Sequence, residues 1–230
     1  MYTARPEGAM KCARVVLLLA GTLFWSACGQ QSREVAPGPR PASTTTAAAA
    51  PSERGSIRVT DASDRLLFRL KADQDGYKVY GGGDQLLARL KVESDRVKAE
   101  DAAGQPLLKL KHKDKKGKAE DQSGAVLFTV KPHSTKAGDF KLETAAGALL
   151  YRLKKESYGY KVTDAQDQTL FKMKAASDRV IADGPDGRKR MEVKGSSAAL
   201  AACAVALESF DLPRRAALFA YLTHFEGKTP

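Results

Sequence analysis

Three histidines and three cysteines are all that 230 residues offer toward metal or thiol chemistry. His112, His133 and His224 fall in a basic loop, a proline-containing loop and a C-terminal helical segment, with no paired ligand spacing, so no metal site is expected. No acidic loop reaches the ligand density of an EF-hand, which leaves the Asp-rich turns a capping role. Cys203 lies in an apolar segment with nothing basic near it, and reads as a small core residue rather than a nucleophile. No apolar run reaches the roughly 20 residues that cross a bilayer as a helix. Aromatic residues make up 7% of the chain and form no stacking platform among the basic ones, which argues against nucleic acid despite a pI near 9.6. No catalytic residue and no cofactor is assigned, and no enzyme is expected.

At the front, Lys11 and Arg14 precede the apolar stretch Val15 to Trp25, which ends at Ser26, Ala27 and Cys28. That order of charge, apolar run and small residues reads as a secretory signal over residues 1–27, with Met10 a second candidate start. Trp25-Ser26-Ala27-Cys28 resembles the lipobox of bacterial lipoproteins, with Trp25 standing where an aliphatic residue is usual. The resemblance implies that Cys28 is lipidated, with palmitate among its acyl chains, and becomes the mature N-terminus. It also implies an anchor in the cell envelope, and Gly29 after the cysteine leans toward the outer rather than the inner membrane. The other reading of this segment is an ordinary cleaved signal without lipid. Residues 28–55 follow as a Pro-, Ala- and Thr-rich tether with almost nothing to bury. With Cys12 removed and Cys28 lipidated, only Cys203 remains and no intramolecular disulfide is available.

What the chain has in abundance is repetition. Leu70-Lys71, Leu90-Lys91, Leu110-Lys111, Val130-Lys131, Leu153-Lys154, Met173-Lys174 and Val193-Lys194 recur at steps of 20, 20, 20, 23, 20 and 20 residues. A period that regular marks one supersecondary unit copied and stacked. Each copy holds an alternating segment, a polar turn such as Asp101 to Gly104 or Asp164 to Asp167, and a second alternating segment, which is a hairpin pattern. Alternation puts Phe68 and Leu70, Ala88 and Leu90, Tyr151 and Leu153, with Leu66, Leu86, Tyr77 and their equivalents, on one apolar face. Arg69, Lys71, Arg89, Lys91, Lys109, Lys111, Arg152, Lys154, Lys172 and Lys174 fall on the other.

A meander this long has edges to hide, and closure into a barrel over residues 56–195 removes them. Ala198 to Leu207 follows without a polar residue. A helix apolar on every side is surrounded on every side, so residues 196–211 are expected to fill the barrel. Residues 212–230, with Pro213 in a first turn and Leu218, Tyr221, Leu222 and Phe225 at helical spacing, are expected to form an amphipathic helix across one mouth. The expected fold is thus mainly β with C-terminal α, an antiparallel barrel of about 12–14 strands.

The order of hairpins followed by an apolar helix, with phrases such as Tyr160-Lys-Val-Thr-Asp and the closing Ala199 to Phe210, resembles the superfamily of tubby C-terminal domains, phospholipid scramblases and LURP-one-related proteins. That resemblance implies a twelve-stranded barrel threaded by one helix. Seven copies supply fourteen strands, and the final helix is extra. Tubby domains bind phosphoinositides through basic residues, but none of those positions can be matched here.

Removing the signal leaves a net charge of about +9, nearly all of it on the repeats. The densest cluster, Lys109, Lys111, Lys113, Lys115, Lys116 and Lys118, is the candidate contact for an anionic lipid or envelope polymer. The expected function is a non-catalytic binding or structural lipoprotein, joined to the membrane through its lipid. A protein-docking scaffold without lipid affinity is the alternative, and scramblase-like lipid handling a third reading that rests on fold analogy.

Overall fold

Each of the seven repeats folds as one hairpin. The strands are β1 (Ser56–Asp61), β2 (Leu66–Asp73), β3 (Gly76–Gly81), β4 (Leu86–Val92), β5 (Arg96–Asp101), β6 (Pro106–Lys113) and β7 (Lys116–Glu120). They continue with β8 (Val126–Pro132), β9 (Phe140–Thr144), β10 (Leu149–Glu156), β11 (Gly159–Thr163), β12 (Thr169–Ala175), β13 (Arg179–Asp183) and β14 (Lys189–Lys194). This is a computed structural model describing residues 55–225, all within the compact unit Ala49–Pro230. The expected signal, Cys28 and the tether lie outside the described residues.

Every strand pairs antiparallel with its sequence neighbours, and β1 pairs with β14 through Val59 opposite Val193, so the sheet is a closed barrel without an edge. Short turns make this meander possible. At one end, here the capped end, the seven intra-hairpin turns share a design. The fourth residue is left-handed in all of them: Asp64, Asp84, Gly104, Gly124, Gly147, Asp167 and Gly187. In five, the opening Asp or Thr side chain accepts the N–H of the fifth residue, as Asp61 does from Arg65 and Asp101 from Gln105.

Just past each of these turns the register slips by one residue, a β-bulge in every hairpin. The bulge accounts for where simple alternation fails. Leu66 and Leu86 pair with Thr60 and Tyr80, on the outward face, and are half-buried rather than in the core. Beyond the bulge the alternation resumes. Phe68, Leu70, Val79, Ala88, Leu90, Leu110, Phe128, Leu153 and their equivalents are all but fully buried.

Two helices occupy the interior. α1 (Ala199–Val205) is buried at every residue and packs on β11 and β12. Its start meets Gly159 at the far end of the barrel. The chain then turns at the capped end, where the Tyr151 hydroxyl bonds Ser209 Oγ at 2.6 Å and Phe210 stacks on Phe128 with centroids 4.7 Å apart. α2 (Leu212–Phe225) runs back against α1 and β3 to β6. Its residues Ala216 to Leu222 are all buried, so it returns through the barrel instead of lying across a mouth. Barrel diameter grows with strand number. Fourteen strands and an interior helix hairpin are therefore one adjustment: the larger barrel has room for the second helix, and the second helix fills it.

Candidate anion-binding surface

The outward residues of neighbouring strands face one another in rows, each oblique to the barrel axis. One row is Lys71, Lys78, Arg89 and Glu100. The next are Lys91, Lys98, Lys109 and Glu120, then Lys111, Lys118, Thr129 and Glu143. Lys131, Lys141, Arg152 and Thr163 follow, then Lys154, Lys161, Lys172 and Asp183, and Lys194, Arg58, Arg69 and Tyr80. Only the row Lys174, Ile181, Glu192 and Thr60 breaks the pattern. Because each row starts at the same place in its repeat, the cations form a belt round the barrel, and only the pairings β7–β8 and β12–β13 lack directly facing cations within the described registers.

Within the described registers fourteen directly facing pairs are cation to cation, four are cation to acid, and none is acid to acid. Facing like charges destabilise a sheet. Glu100, Glu120 and Asp183 each face one cation directly and form an ion pair with another on the diagonal, stitching one row to the next. Lys91 pairs with Glu100 at 3.2 Å, Lys111 with Glu120 at 2.7 Å, Lys131 with Glu143 at 2.6 Å and Lys174 with Asp183 at 2.7 Å. Second positions reach toward the far end, Lys78 to Asp73 at 2.9 Å and Lys98 to Glu93. Arg89, Lys109 and Lys172, all third in their rows, have no ion pair within 4 Å among the described residues.

The six lysines singled out in the sequence share one hairpin, β6–β7. Lys111 faces Lys118 and Lys113 faces Lys116 on the outer wall, with Lys109 nearer the capped end. Lys115 is at the tip, where Asp114 and Lys115 both take left-handed φ values, +52° and +63°. Glu120 lies between Lys111 and Lys118, and their hydrogen bonds, Lys111 first, hold its carboxyl below the usual range against the opposing effect of burial. Beside Lys109 the wall opens into a cleft of about 270 Å³ lined by Lys98, Glu100, Pro106, Glu120 and Gln122. Its cations and carboxylates are mixed, so it is not a simple anion pocket.

First-strand cations Arg58, Lys78, Lys98, Lys141 and Lys161 complete the belt and lie outside the cations expected on that face from the sequence. Their signal is the same alternation, each lying between two apolar residues as Lys78 does between Tyr77 and Val79. His112 is placed differently from expectation. It lies within β6 and points inward, its Nδ1 2.8 Å from the Tyr221 hydroxyl and its ring stacked on Phe225 at 4.4 Å. Burial pushes the Tyr221 phenol well above its ordinary value. Cys203 is buried in α1, its thiol 3.3 Å from the Ala199 carbonyl. Among the described residues, no helix is long and apolar enough to cross a membrane.

No family model matches the chain, and no curated protein does. Among solved structures it is similar to a protein from Arabidopsis thaliana, 16% identical, with a TM-score of 0.37, the match covering 68% of this chain and 91% of that one. A likeness of that size carries no argument about fold or function.

Proposed function

We propose that the chain is a non-catalytic binding lipoprotein of the bacterial envelope, held to the outer membrane through a lipid on Cys28, whose barrel contacts an anionic lipid or polysaccharide through its basic wall. The observation that carries the binding reading is the β6–β7 hairpin. It gathers Lys109, Lys111, Lys113, Lys115, Lys116 and Lys118 on one outer surface, with only Asp114 and Glu120 among them. Cations near an anionic surface contribute around 1 kcal/mol each, so six acting together suffice for salt-sensitive adhesion.

A second reading, a protein-docking scaffold, is favoured by one feature. At the capped end an apolar hollow of about 280 Å³ is lined by Tyr151, Leu170, Phe171 and Pro185. Salt separates the two, because electrostatic adhesion weakens as screening rises and apolar docking does not. The closed unit Ala49–Pro230 is mixed with anionic or neutral vesicles, and applied to heparin beads, from roughly 20 to 500 mM salt. Adhesion to the anionic supports alone, lost at high salt and reduced by Lys113→Glu with Lys115→Glu, is the expected result. No adhesion to either anionic support at low salt overturns the reading and directs attention to the apolar hollow.

A further inference from the structure

From the course of the belt we infer that the anionic partner is a flexible linear polyanion laid along the wall of the barrel, rather than a flat anionic surface. The inference rests on the binding reading above and narrows it. A plane touches a convex cylinder along one side, so a partner of that shape rewards cations on one group of neighbouring strands. Here facing cations occur in twelve of the fourteen strand pairings, all but β7–β8 and β12–β13. Facing cations within a row stand about 5 Å apart, and rows recur every second strand, or about 10 Å. That is a continuous track of roughly 60 Å by the same spacing. A bending chain of anions can follow it and a membrane cannot.

Two details support a track over a generally soluble exterior. An exterior chosen for solubility alone gains nothing from setting cation against cation, and alternating signs across strands would serve it better. The belt also leaves three of its five third-position cations, Arg89, Lys109 and Lys172, without an ion pair among the described residues, while Arg69 and Arg152 pair with Asp84 and Asp167.

The test uses Ala49–Pro230 with long-chain polyphosphate, tripolyphosphate and vesicles of phosphatidylglycerol, each titrated over a salt series. Strands β6 and β12, which carry Lys109 and Lys172, are six places apart in the ring of fourteen and so lie on nearly opposite sides. Neither side chain gives up an ion pair on neutralisation. The expected result is tighter binding of long polyphosphate than of tripolyphosphate, with a steeper salt dependence. Lys109→Gln and Lys172→Gln should each lower that salt slope by about one, and the double variant should combine the losses. Equal affinity for long and short polyphosphate, or sensitivity to only one of the two substitutions, would mean a local site and overturn the track. Vesicle binding without polyphosphate binding sinks the inference while leaving the broader reading standing; binding to neither sinks both.

Discussion

Lys115 shows how one side chain can carry opposed demands. Its φ of +63° lies in the left-handed region, where a Cβ costs roughly 1–2 kcal/mol and glycine costs nothing. Equivalent positions at the capped end were legible in the sequence because Gly and Asp announce them. A lysine at a hairpin tip announces only charge, so the strain was invisible until the backbone was known. Lys115→Gly should therefore stabilise the barrel by about 1 kcal/mol, read as a higher urea midpoint by circular dichroism. Lys115→Ala keeps the Cβ and should bring none of that gain. If alanine stabilises as much as glycine, the relief comes from removing charge beside Lys113 and Lys116 and not from the backbone. The glycine variant also sets a useful condition on the binding test: weaker adhesion from a more stable protein assigns a contact to the lysine rather than to folding.

Among the elements, strands were easier to read than helices. Alternation placed Leu70, Leu110 and Leu153 in the core correctly, because a half-buried strand writes its two faces into every second residue. The doubled apolar residues at Leu66-Leu67 and Leu86-Leu87 are the trace of the bulges, and period two alone cannot distinguish a bulge from a longer strand. The return helix was harder. Arg214, Arg215 and His224 make its sequence look one-sided, while the interior volume that accepts it depends on the strand count of the whole ring. Arg215 shows how the helix hairpin is secured. Its Nε donates to the Phe210 carbonyl at 2.7 Å and its Nη1 to the Val205 carbonyl at 3.3 Å, at the last residue of α1. A cation at a helix C-terminus that satisfies carbonyls left open by the turn is favourable twice. Arg215→Ala should cost about 1.5–3 kcal/mol, the range for hydrogen bonds made by a charged donor. Arg215→Lys should recover only part, since one ammonium on a flexible stem does not reproduce the guanidinium fork. Thermal denaturation of the two variants decides it, and an unchanged melting temperature for Arg215→Ala would show the turn is held by packing alone.

For the whole molecule the governing quantity is charge. Between Gly55 and Phe225 there are 31 Lys and Arg against 23 Asp and Glu, a net +8, and the belt brings much of the excess into facing pairs. At neutral pH, screening that self-repulsion should outweigh screening the mostly exposed ion pairs, each worth little. The melting temperature should accordingly rise as salt is added. Acid works in the opposite direction through the stitches between rows. Hydrogen bonds from Lys111 to Glu120, from Lys154 to Asp167 and from Lys189 to Asp64 hold these carboxyls below their ordinary values of 4.5, 3.8 and 3.8. A carboxyl lowered in the folded state contributes stability that is fully present above its unfolded value and is lost as pH falls through its folded value. The melting temperature should thus hold steady down to about pH 5 and drop below pH 4. Each proton taken up there cancels an acid, leaving Lys111 facing Lys118 and Lys154 facing Lys161, so repulsion grows while attraction disappears. The stabilisation gained from a given addition of salt should then be larger at pH 3 than at pH 7. Scanning calorimetry over a grid of pH and salt measures both effects together. A melting temperature that falls with salt at neutral pH would mean the diagonal pairs outweigh the belt's repulsion, and that the cations are held for stability instead of being held in spite of it.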